Sequence, residues 1–212
     1  MPDRRPVDEQ VLLDLLVVFD RFAAARGQRP VAKLSSWETA DSARLLELLP
    51  DVPAVFVHRP PAEVVASQLA DEPAWGRQLA SDRSTIERWA PQVAALSPDA
   101  SKAEVYAAIW ASLVSAALDA PKSRVLFVGY ADLVGRPVEV LEAVAGHFGL
   151  TGSWNRATAR SELGYYAKSR DPAERFDPDG PHARLPLPSG TAERVETIVG
   201  EVAGKLIELC GT

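Results

Sequence analysis

Thiol chemistry has almost no foothold in this sequence. Its single cysteine, Cys210, stands beside the C-terminus. No internal disulfide can therefore form and no thiolate cluster can hold a metal, which fits a reducing compartment. Histidine is nearly as scarce: His58, His147 and His182 are scattered with no helical or paired ligand spacing, so the sequence offers no metal site. A basic surplus is also missing. The 23 Lys and Arg stand against 29 Asp and Glu, a net charge of -6, which excludes a surface built to neutralise nucleic-acid phosphates. Any anionic ligand must then be held by a local cluster. Finally, the apolar run from Val11 to Phe19 is interrupted by Asp14 and closed by Asp20. It is too short and too charged to span a bilayer, and its flanks lack a small-residue cleavage site. The expectation is a cytoplasmic protein with neither membrane nor nucleic acid as partner.

What is present fits one globular domain over residues 1–212, at 47% hydrophobic and 25% charged residues. Asp8 is placed to cap a helix through Val11, Leu12, Leu15, Leu16, Phe19 and Phe22, with Gly27 ending it; apolar residues round much of its circumference predict deep burial. Val31 to Leu34 reads as a short strand and Leu45 to Leu49 as a helix. Ala54–His58, apolar and bounded by prolines, reads as a strand covered on both faces. Pro61 suits the first turn of a following helix, where its missing N–H costs nothing. Ser101 and Glu104 form a capping-box pair ahead of Val105, Ile109, Trp110, Leu113 and Ala117, which lead to a third strand over 124–129. A helix through Val140, Leu141, Val144 and Phe148 closes at Gly149, and a last helix carries Val195, Ile198, Val199, Val202, Leu206 and Leu209 on one face. Residues 71–100 and 151–190 are irregular in composition, as lid or acceptor-facing segments are. Strands alternating with helices predict an α/β fold, a small parallel sheet with flanking helices. Three strands make a small sheet, so an element is expected to be missing at the front.

Ligands of open parallel sheets settle beyond the carboxyl ends of the strands, which singles out Arg59 and Tyr130. Ser67 lies two helical turns after Arg59, and the helix N-terminus between them is expected to add N–H donors. An Arg fork suits phosphate oxygens.

Arg59, Pro61, Glu63 and Ser67 resemble the 3′-phosphate motif of sulfotransferases that use 3′-phosphoadenosine 5′-phosphosulfate (PAPS), an Arg-x-Pro-x-acidic segment with Ser eight positions after Arg. Leu45-Leu46-Glu47-Leu48-Leu49-Pro50-Asp51 is similar to that family's leucine-rich helix and Pro-Asp turn. Arg124–Leu133 resembles its strand ending in Tyr-Glu-Asp-Leu, with Ala131 in place of the acid. The likeness runs over roughly 31 to 150 and keeps the family's order. It implies a sulfotransferase-like (P-loop NTPase-like) fold that moves a sulfuryl group from PAPS to a hydroxyl or amine of a small-molecule acceptor, leaving adenosine 3′,5′-bisphosphate (PAP). Arg59 and Ser67 would grip the 3′-phosphate and Tyr130 would lie by the adenine. Lys168 and Arg170 would add late phosphate contacts, and Lys33 and Ser35 would face the sulfuryl group as catalytic residues. Nothing before Val31 resembles the family's Gly/Ser/Thr-rich phosphosulfate loop. This departure keeps open an alternative, a non-catalytic nucleotide-binding or interaction module of the same fold. The Leu- and Val-rich first helix, if left uncovered, is a face for pairing with a second subunit as a homodimer.

Overall fold

A computed structural model describes residues 9–73, 75–76, 82–150, 152, 155–162 and 186–210. Helix α1 spans Glu9–Ala24 and ends at a turn where Gly27 takes φ +64°, a left-handed conformation that glycine adopts at no steric cost. A short 3-10 turn, Glu38–Asp41, leads into α2, Ser42–Leu48. Then follow β1, Ala54–His58; α3, Pro61–Ala70; α4, Arg83–Trp89; and a 3-10 turn at Pro91–Ala95. The long α5, Lys102–Asp119, precedes β2, Val125–Gly129. Helices α6, Tyr130–Gly135; α7, Pro137–His147; α8, Arg156–Glu162; and α9, Ser189–Cys210, complete the described chain.

Strands β1 and β2 pair in parallel, with Ala54 opposite Val125 and His58 opposite Gly129. The parallel α/β reading of the sequence holds, but the sheet has two strands among the described residues rather than three. Val31 to Leu34 lies outside any ladder among the described residues, with Val31 70% exposed. Apolar residues with no adjacent strand among the described residues to take their backbone bonds do not make a strand. Coverage of β1 is also less complete than its composition implies, since Val57 stays exposed.

The core centres on α5, which packs against α9 and α3. Alanines 103, 107, 108 and 111 let the helices approach closely, while Tyr106, Ile109, Trp110 and Val114 fill the space with Val65, Val195, Val199 and Leu206. The α5 start is held as its sequence requires: Ser101 Oγ accepts from the Glu104 amide, and the Glu104 carboxylate accepts from the Ser101 amide at 2.8 Å. At the opposite end of the sheet, His147 Nε2 lies 3.0 Å from the Ala54 carbonyl and 3.1 Å from that of Arg124. An N–H there donates to both strand entrances and pins them together.

One expectation fails on packing. Helix α1 is not deeply buried: Val11, Leu15, Val17, Val18, Phe19 and Phe22 are all exposed. The second half of the irregular 71–100 stretch is packed on the rest of the chain. Thr85, Ile86, Ala90 and Val93 are buried, and Arg83 donates to the carbonyls of Val93, Leu96 and Ser97 at 2.8–3.0 Å while pairing with Glu87. One guanidinium there supplies the donors that a regular ladder would otherwise give. Trp37, Trp75 and Tyr106 form a chain of edge-on ring contacts, centroids 5.1 and 5.5 Å apart, so these tryptophans pack rather than line a platform.

Candidate functional site

The parallel register sets the site. Because His58 is opposite Gly129, the first residues beyond the two strand ends, Arg59 and Tyr130, are neighbours. The Arg59 guanidinium carbon stands 4.5 Å from the centre of the Tyr130 ring, a cation–π contact that orients the fork. Arg59 Nη2 also pairs with Glu63 Oε2 at 3.1 Å, across one turn of α3. The backbone of the corner is fixed from the core: Trp110 Nε1, on buried α5, donates to the Arg59 carbonyl at 3.1 Å.

Glu63 and Ser67 are one turn apart on α3 and therefore share a face. Arg59, Glu63 and Ser67 thus run along one stripe leading away from the strand end. Ser67 is partly buried, and among the described residues its hydroxyl makes no hydrogen bond. Arg59 Nε is buried and has no acceptor among the described residues. Buried donors in folded proteins are almost always paired, so this orphan N–H marks the fork as one acceptor short. An anion reaching Arg59 and Ser67 along this face would supply acceptors to both.

The helix N-terminus contributes less than the sequence implies. Pro60 and Pro61 carry no N–H, and the Glu63 and Val64 amides both donate to the Pro60 carbonyl, at 3.1 and 3.2 Å. Positive charge at this corner therefore comes from Arg59. Neighbouring groups do not add to it. His58 sits with Nε2 3.5 Å from Cys210 Sγ. Burial pushes the imidazole below its ordinary 6.5, with Asp132 opposing, so it is neutral at pH 7. Burial, with Asp132 adding, pushes the Cys210 thiol above 9.0. Asp132 itself pairs with Arg136 at 2.6 Å.

Of the residues singled out by sequence, Arg59 and Tyr130 meet at this corner, and Ser67 lies farther along α3, one turn beyond Glu63. Lys33 and Ser35 lie on the exposed segment before α2. The Ser35 amide and hydroxyl both donate to the Glu38 carboxylate, which ties the hydroxyl into a local turn. Among the described residues, no hydrogen bond or ion pair joins either residue to Arg59. Lys168 and Arg170 fall outside the described residues. Among the described residues no group of three or more His, Cys, Asp and Glu is arranged to hold a metal, and no helix is long and apolar enough to cross a membrane. Sequence reasoning missed Trp110 as the anchor of the corner and missed the contact between His58 and Cys210. A tryptophan in the middle of an apolar helix carries no sign of which carbonyl its N–H will meet.

The family model for the sulfotransferase family matches residues 17–156, well over half of the chain. This chain belongs to the sulfotransferase family. Neither any curated protein nor any solved structure matches it. For a sulfotransferase-family protein, the matched span holds the full β1–α3 and β2–α6 corners and hence Arg59, Ser67 and Tyr130. It also takes in Lys33, Ser35 and the Trp110 anchor, and ends before Lys168 and Arg170.

Proposed function

We propose that the corner between β1 and β2 binds the 3′-phosphoadenosine portion of PAPS, and that the protein uses it to sulfate a hydroxyl or amine of a small-molecule acceptor. The observation that carries this reading is the buried Arg59 Nε, without an acceptor among the described residues, in a guanidinium already oriented by Tyr130 and Glu63. A dianionic 3′-phosphate matches the planar fork and accepts from it bidentately. The Ser67 hydroxyl supplies a neutral donor on the same face, and the Tyr130 ring offers apolar surface to a purine. With -6 net charge on the chain, such a site selects its anion by local geometry rather than by long-range attraction.

When bound, PAPS supplies the sulfuryl group: its bond to the phosphate oxygen breaks, a new bond to the acceptor oxygen or nitrogen forms, and the acceptor gives up a proton. The chain's part at this corner is to bind and orient the nucleotide, which sets the reacting end by position. Lys33 and Ser35 remain the proposed groups near that end, with Lys168 and Arg170 as further phosphate contacts.

Calorimetry with two nucleotides tests the reading. Adenosine 3′,5′-bisphosphate should bind, and adenosine 5′-monophosphate, which lacks the 3′-phosphate, should bind at least about tenfold more weakly, the equivalent of one charge-assisted contact. Equal affinities would remove the 3′-phosphate site. Release of adenosine 3′,5′-bisphosphate from PAPS in the presence of a panel of hydroxylated and amine acceptors then tests the transfer itself.

A further inference from the structure

The exposed residues of α1 are not scattered. Four of its six exposed large apolar residues, Val11, Leu15, Val18 and Phe22, at 51, 50, 61 and 58% exposure, recur at alternating spacings of four and three, with Phe19 flanking this stripe and Val17 off it. This is the seam of a coiled coil. The helix rests on the rest of the chain through a different face, where Leu13 and Leu16 are partly covered and Ala23 is buried. No other described element packs extensively on α1.

We propose that a second copy of this chain covers the seam, with the two α1 helices antiparallel about a twofold axis. Charge and register favour this occupant. In the antiparallel register, Val11 packs against the partner's Phe22 and Leu15 against the partner's Val18, so each layer is apolar and the pattern is its own complement. Asp14 and Arg21 lie along one edge of the seam, and the same register sets Asp14 opposite the partner's Arg21. The twofold axis forms that ion pair twice. A parallel arrangement would instead set Asp14 against the partner's Phe19 and Arg21 against the partner's Arg26, a like charge. Asp14 is held by Gln10 through Oδ1 at 2.9 Å, and the Arg26 guanidinium lies 3.5 Å over the Phe22 ring without burying it. The seam is only Glu9–Ala24 long, about two heptads, which implies a weak, concentration-dependent dimer. The interface is independent of the nucleotide corner.

Light scattering of the full chain after size exclusion, over micromolar to millimolar concentrations, tests the proposal. The mass should climb from 22.9 kDa towards twice that value. Val18→Glu puts a charge in both central layers and should leave a monomer with unchanged far-ultraviolet helix signal. Asp14→Arg should weaken association by about tenfold or more through like charges facing each other, and Asp14→Arg with Arg21→Asp should restore it. A 22.9 kDa species at every concentration would overturn the proposal and leave the face to a different partner. A dimer indifferent to Val18→Glu, or a double variant that does not recover, would overturn it equally.

Discussion

Trp110→Phe is the substitution that best isolates how the core holds the candidate site. The change removes the indole N–H that donates to the Arg59 carbonyl at 3.1 Å and shrinks a side chain that is only 7% exposed. The lost hydrogen bond contributes about 1 kcal/mol net, and more if the carbonyl finds no replacement donor. The smaller ring leaves unfilled space among α5, α3 and the strand exit, a further cost of about 1–2 kcal/mol. The total is about 2–3 kcal/mol, which for a chain of this size lowers Tm by about 5–10 °C. Urea and thermal unfolding of the wild type and variant measure it directly. Because the carbonyl belongs to Arg59, affinity for adenosine 3′,5′-bisphosphate should fall as well, at temperatures where both proteins are folded. A stability change under about 0.5 kcal/mol, the range of neutral surface substitutions, would refute the claim that Trp110 anchors this corner.

Three further outcomes follow from single contacts. His147→Ala should destabilise by about 1–3 kcal/mol in urea unfolding, because the Ala54 and Arg124 carbonyls both lose the Nε2 donor. Ser101→Ala should cost about 1 kcal/mol by loss of the α5 cap. It should also raise the Glu104 pKa, which Ser101's hydrogen bonds hold below 4.5, as titration by NMR would register. His58 is depressed below 6.5 mainly by burial, so the unfolded chain binds the extra proton first as pH falls. Its contribution to stability is therefore full above about pH 6.5 and is lost on acidification through the folded-state value; His58→Asn should flatten that slope in unfolding measured from pH 7 downward.

The helices and the parallel pair were legible because their signals are local. Alternation of apolar strand and helix, Pro at the start of α3, the Ser101–Glu104 box and Gly149 after α7 each name an element and its end. The turn at Gly149, with φ +64°, is where glycine belongs. Illegible were properties that depend on what lies across the fold. Val31–Leu34 has strand-like residues but no ladder to join, and α1 has core-like residues but little to pack on. The 82–96 stretch looked irregular because its order comes from Arg83 reaching four different carbonyls, a pattern without sequence periodicity. At the site, Arg59 and Ser67 were legible from their spacing, and Tyr130 from its place at a strand end. The strand register that brings Arg59 to Tyr130, and the indole that fixes the corner, were not.

Calorimetry on Arg59→Ala tests the central claim most directly. The variant loses a part-exposed ion pair with Glu63 and a ring contact, together worth about 1 kcal/mol of stability, so it should stay folded. Adenosine 3′,5′-bisphosphate should bind it about 10- to 150-fold more weakly than wild type, the loss of about 1.5–3 kcal/mol from a charge-assisted bond. Identical heats and affinities for the two proteins would contradict the assignment of this corner as the nucleotide site.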